Sequence, residues 1–147
     1  MSELKDRIRK EMTASMKARN KERTNTLRML VSAIGTEETQ GSKHELTDDQ
    51  VLTVVAREIK KRKESAEIYE QNGRPELAEN ELAEAKILAE FQPKQLSDDE
   101  LASLVSEVVA ENPQMGPAMK AAKAKAGGRV DGKRLSEAVR AELGKLS

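Results

Sequence analysis

Thr47-Asp48-Asp49-Gln50-Val51-Leu52-Thr53-Val54-Val55-Ala56-Arg57-Glu58-Ile59-Lys60-Lys61-Arg62-Lys63-Glu64-Ser65-Ala66-Glu67-Ile68-Tyr69 reads as one long helix that carries its own start signal. Thr47 to Gln50 is a capping box: the Thr47 hydroxyl accepts from the third amide, and the Gln50 side chain reaches back to the cap. The helix continues to about Gln71, with Val51, Val55, Ile59, Ala66 and Tyr69 along one stripe. Two charges interrupt that stripe, Glu58 and Arg62, one turn apart on the inner face. They support two readings: an i,i+4 ion pair, partly buried, that fixes helix register, or an arginine held by Glu58 to contact a partner. Lys60, Lys61 and Lys63 point elsewhere, and a run of this kind is more often a solvated face than a binding site.

Similar patterns flank this helix. Leu4, Ile8, Met12 and Met16 recur every fourth residue in a helix over Glu3 to Arg19. After a polar break at Arg19 to Lys21, Leu27, Leu30, Val31 and Ile34 share a face of a second helix. Gly35 and the polar run Thr36 to Lys43 are expected to end it in a loop. His44 follows as a solvated loop residue, since no other His or Cys exists to complete a metal site. Asn72-Gly73 is a C-cap signal, and Pro75 suits the first turn of a fourth helix, Glu76 to Phe91, carrying Leu77, Leu82, Ala85, Leu88 and Ala89. Pro93 stops it.

A second capping box, Ser97 to Glu100 with Leu96 placed for a staple, opens a fifth helix that buries Leu101, Leu104, Val105, Val108 and Val109. Asn112-Pro113 breaks it. The sixth starts near Gly116-Pro117 and ends at Gly127-Gly128, with a narrow stripe of Met115, Met119, Ala122 and Ala126. The seventh follows Asp131 as N-cap and buries Leu135, Val139, Leu143 and Leu146. The expected fold is all-α: an N-terminal four-helix unit (1–92), a hinge (93–96) and a small three-helix C-terminal module (97–147).

Composition agrees with helix packing. The 147 residues include one Tyr, one Phe and no Trp, so the core must come from aliphatic side chains and alanine. There is no cysteine, which removes disulfides, thiolate metal sites and a Cys nucleophile. No apolar run approaches the roughly 18 residues that span a bilayer, so the expectation is a cytoplasmic protein without a membrane partner. With a single His and no paired carboxylates in a pocket context, catalytic residues, a metal and a cofactor are not expected. Gly127-Gly128 lacks the spacing of a phosphate loop.

Charges balance at 26 basic and 26 acidic residues, so local asymmetry carries the information. Met115 to Leu135 holds six basic residues, Lys120, Lys123, Lys125, Arg129, Lys133 and Arg134, against one acid, Asp131. They cluster across a helix–Gly-Gly–helix corner whose turn amides and helix N-terminus suit phosphate. Asp131, as N-cap, occupies part of that positive end. The plain alternative is that alanine–lysine repeats keep a short exposed helix soluble. The segment has no ring for base stacking, so RNA would be engaged by shape and backbone, and no DNA specificity is expected. Gly116 is assigned to helix entry, Gly127 and Gly128 to the turn, and Gly132 to the start of the last helix.

Several motifs together resemble the GatB/YqeY-like proteins, stand-alone relatives of the tail of the B subunit of tRNA-dependent amidotransferase. They are Leu27-Arg28-Met29-Leu30, Arg57 to Ser65, Gly73-Arg74, Phe91 to Leu96, and Met115-Gly116 with Met119 leading to Gly128 and Asp131-Gly132. Gln92 departs from the family's usual Leu. The resemblance implies an all-helical, two-part fold and a link to glutamine-dependent amidation of mischarged tRNA in translation. In the amidotransferase the tail engages tRNA while the active sites lie elsewhere. The carbon–nitrogen ligase activity associated with the family, with glutamine as amido donor, then belongs to the relatives. The implied partner is tRNA. The alternative is a protein-interaction adaptor that docks on an aminoacyl-tRNA synthetase or amidotransferase component, with the third helix as the likeliest surface.

Overall fold

Both capping boxes close in both directions. Thr47 Oγ1 accepts from the Gln50 amide at 3.3 Å while the Thr47 amide donates to Gln50 Oε1 at 2.9 Å. Ser97 and Glu100 repeat the pattern at 3.1 and 3.0 Å. The structure, a computed structural model, describes residues 2–146. Among them are seven α-helices and no strand: α1 (Glu3–Lys17), α2 (Lys21–Thr39), α3 (Asp48–Gln71), α4 (Pro75–Ala89), α5 (Asp98–Glu111), α6 (Met115–Ala126) and α7 (Gly132–Gly144). A 3-10 turn, Gly127–Arg129, joins the last two.

The chain forms two compact units, Met1–Gln92 and Pro93–Ser147. In the first, α3 and α4 form a helical hairpin across the Asn72–Arg74 turn, where Gly73 has a φ of 71°. The other hairpin, α1 with α2, lies against it, and Ile8, Leu27, Leu30, Ile34, Val51, Val55 and Leu88 meet in the core. Polar groups tie the ends. Asp48, the first residue of α3, accepts from Ser2 Oγ at 2.5 Å and from the Leu4 amide at 3.2 Å. Glu38 takes both oxygens to Lys5 Nζ at 2.8 Å and accepts the Leu46 amide. Burial of the Ser15 and Thr24 hydroxyls is matched by their mutual bond of 2.8 Å between α1 and α2.

Several helix details differ from the sequence reading. α2 does not stop at Gly35 but continues to Thr39, because Glu38 is anchored to Lys5 and to Leu46, and this tertiary hold offsets a mid-helix glycine that costs about 1 kcal/mol. α1 ends at Lys17, and Met16 is half exposed. In α4 the buried face runs through Ala78, Ala85 and Leu88, small residues that bring it close to α3, whereas Leu82 and Ala89 face outward. Phe91 lies beyond α4, buried beneath the Arg7 guanidinium 5.1 Å from its ring centre. On α3, Val54 is buried as well, so the stripe that an adaptor would need is covered from Val51 to Ala66.

In the second unit α5 buries the five residues expected of it. The fully buried side chains of α6 are Ala118, Ala122 and Ala126, with Met115 and Met119 half-buried beside them. Such a smooth face lets α5 and α7 approach closely. Leu135 and Val139 are buried from α7, but Leu146 is exposed past the helix end. The segment after Pro93 is held by this unit: the Leu96 amide donates to the Arg129 carbonyl at 2.8 Å, and Gln95 Nε2 donates to Gly128 O at 3.2 Å.

Candidate functional site

The corner between α6 and α7 is built by one glycine and one aspartate. Gly127 caps α6 with a φ of 59°, a left-handed conformation that other residues adopt at a cost. Asp131 N-caps α7 by accepting from the Arg134 amide at 2.8 Å. By contrast, a Cβ at Gly116 or Gly132 would meet open space, and neither has a positive φ, so these positions do not require glycine.

Three of the six cations at this corner are committed to holding it. Arg129 donates from Nε to Ala126 O and from Nη2 to Lys125 O, both at 2.9 Å, and so caps the last carbonyls of α6. Arg134 donates to the Leu96 carbonyl at 2.8 Å and to Asp98 Oδ1 at 2.7 Å, pinning α7 to the start of α5. Lys125 reaches Glu107 Oε2 at 2.5 Å, and that hydrogen bond holds the Glu107 carboxyl below its ordinary pKa. Lys120, Lys123 and Lys133 are exposed and form no ion pair with any described residue. No acidic residue occurs on α6, while α5 has five acids and no base. Charge is thus segregated between α5 and α6, while α7 carries both signs.

In the first unit, two of the stretches that carry the family resemblance meet. Glu58 and Arg62 pair at 3.1 Å, and both are buried, at 6 and 5% exposure. The Arg62 Nη2 reaches Met29 Sδ on α2 at 3.8 Å, and its Nε, which has no hydrogen-bond partner among the described residues, lies 3.9 Å from Glu84 on α4. Burial raises the Glu84 carboxyl above its ordinary pKa, against the pull of Arg62. Arg62 therefore presents its guanidinium to α2, α3 and α4 rather than to solvent. Beside it, Met29, Thr36 and Glu37 of α2 face Arg57 and Lys61 of α3 across an open groove.

Among the described residues, no three His, Cys, Asp or Glu side chains are grouped to hold a metal ion. His44 is exposed in its loop, its Nδ1 2.7 Å from the Ser42 carbonyl oxygen. No helix is long and apolar enough to cross a membrane. The molecule is thus an all-helical protein of two units, with the buried Glu58–Arg62 charges consumed by packing and three lysines on α6 and the start of α7 that pair with no described residue. Residues 5–143 match the family model of the Yqey-like proteins, and the chain belongs to that family. It is also similar to an uncharacterised protein of Schizosaccharomyces pombe, 37% identical over 91 residues, which cover 62% of this chain and 73% of that one.

Proposed function

We propose that this chain is a non-catalytic tRNA-binding module, allied to the tail of glutamine-dependent tRNA amidotransferase. The observation that carries the reading is the set Lys120, Lys123 and Lys133. These cations pair with no described residue and stand on a helix without acids and at the start of the next, beside the Gly127 turn. Unpaired ammonium groups can neutralise phosphates without breaking an existing ion pair, and each phosphate contact releases counterions. Arg129 and Arg134 support the same function indirectly, because they fix the corner on which the lysines stand. With no aromatic side chain at the corner, recognition is by backbone and shape. The association with carbon–nitrogen ligase chemistry is then one of partnership with the tRNA-charging machinery.

The test is a titration of unfractionated tRNA against wild type and a K120Q/K123Q/K133Q variant over a salt series. Three lost phosphate contacts reduce the log–log salt slope by about 2 to 3. Equal affinity and slope in both proteins would refute the assignment of this corner.

A further inference from the structure

We propose that the outer face of α1 is a second contact surface for the phosphate backbone of the same RNA, formed by Arg9, Lys10 and Lys17. The inference rests on the RNA-binding reading above but on different residues in the other unit. From Glu3 to Arg23 the sequence has eight basic and four acidic residues, and the structure sorts them. Lys5 is taken by Glu38, Arg7 by Phe91 and the Glu90 carbonyl, and Arg23 by Glu11 and Glu90. Arg9, Lys10, Lys17, Arg19 and Lys21 remain exposed and form no ion pair with any described residue, although Arg9 lies within the field of Glu38. These five unpaired cations outnumber the three of the α6–α7 corner, although the net surplus of basic over acidic residues is slightly smaller here.

Arg9, Lys10, Thr13, Ala14 and Lys17 border one shallow hollow along α1. Lys10 and Lys17 stand two turns apart on it, about 10 Å at 1.5 Å per residue, far enough for each to meet a different phosphate of one strand. The small Thr13 and Ala14 between them let a backbone approach. Two acids lie close to this row: Glu11, next to Lys10 in sequence, is drawn to Arg23 at 3.0 Å, and Asp6 stands one turn before Lys10, where it offsets the helix dipole. Two neighbouring features run against local stability. Arg19 adopts a φ of 60°, a left-handed conformation unusual for a side chain of this size. Lys21 stands at the first position of α2, the positive end of its dipole. Both follow the end of α1 in sequence and are exposed. The lining of the hollow has no large apolar side chain, and the half-exposed Met16 of the same helix is too little to anchor it in a bilayer, which favours a phosphodiester backbone over a lipid surface.

Unfractionated tRNA is titrated over a salt series against the full-length wild type, an R9Q/K10Q/K17Q variant and the K120Q/K123Q/K133Q variant. All the changed residues are exposed, and circular dichroism checks that each variant keeps its helices. The expected result is a salt slope lowered by about 2 to 3 in the α1 variant, with a separate loss in the corner variant. A wild-type slope in the α1 variant beside a flattened slope in the corner variant overturns this inference and leaves the proposed function standing. The reverse outcome supports the α1 surface and removes the corner. If the wild type binds no tRNA, both fail; vesicles of phosphatidylserine bound by the wild type but not by the α1 variant would then assign the surface to lipid.

Discussion

Arg62 donates from Nη1 to Glu58 Oε1 at 3.1 Å and, from the same nitrogen, to the Glu58 backbone carbonyl at 3.1 Å. One arginine so closes a side-chain ion pair and a helix carbonyl inside the packing of α2, α3 and α4. Removing either partner leaves a buried charge with only a longer substitute contact, Lys61 at 3.5 Å for Glu58 or Glu84 at 3.9 Å for Arg62. Arg62→Leu or Glu58→Leu should each cost about 3 to 5 kcal/mol in urea unfolding of the full chain, while the double Leu variant recovers most of that loss. Single variants within about 0.5 kcal/mol of wild type would show that the pair is not buried in solution.

Glu38 and Glu84 give opposite pH responses. Lys5 holds Glu38 below its ordinary 4.5 in the folded state, so its stabilisation is present above that pH and is lost as pH falls through the depressed value. Glu38→Gln should therefore be less stable than wild type near neutral pH, with the gap closing in acid. Burial raises Glu84, so its favourable contribution is complete below 4.5 and is lost as pH rises through the raised value. Glu84→Gln should equal or exceed wild-type stability near neutral pH and lose that advantage in acid. Urea titrations at several pH values read both.

Arg19 offers a stabilising change. Asparagine tolerates the left-handed region better than arginine, and Arg19 makes no side-chain bond to a described residue. Arg19→Asn should raise stability by about 0.5 to 1 kcal/mol, read as a higher Tm. A lower Tm would mean that the turn between α1 and α2 is held differently.

The alanine face of α6 tolerates no growth. Ala122 is fully buried, and Ala122→Leu inserts three carbons into a close-packed contact, costing about 1 to 3 kcal/mol. Gly127→Ala, at a φ of 59°, should cost about 1 to 2 kcal/mol through backbone strain alone. Thermal unfolding of the full chain monitors each.

Much of the fold was legible because caps and periodicity are local signals. Thr47 with Gln50, Ser97 with Glu100, and the α5 face each depend on residues within a turn or two of one another. What escaped depends on contacts distant in sequence. The continuation of α2 past Gly35 needs Lys5 and Leu46; the outward turn of Leu82 needs the close approach of α3. The candidate site was legible as a basic segment but not as a set of free charges. Nothing in the sequence shows that Arg134 is spent on Leu96 and Asp98, or Lys125 on Glu107. The same sorting revealed the unpaired row on α1, which reads in sequence only as charge lying off the apolar stripe.

The central claim is that this helical protein binds tRNA through phosphate contacts. Fluorescence anisotropy of labelled tRNA with the wild-type chain, from about 50 to 200 mM salt, measures that most directly. Affinity should fall with a log–log slope at least as steep as about −2, as expected for three or more phosphate contacts. A flat slope, or no binding at the lowest salt, would contradict it.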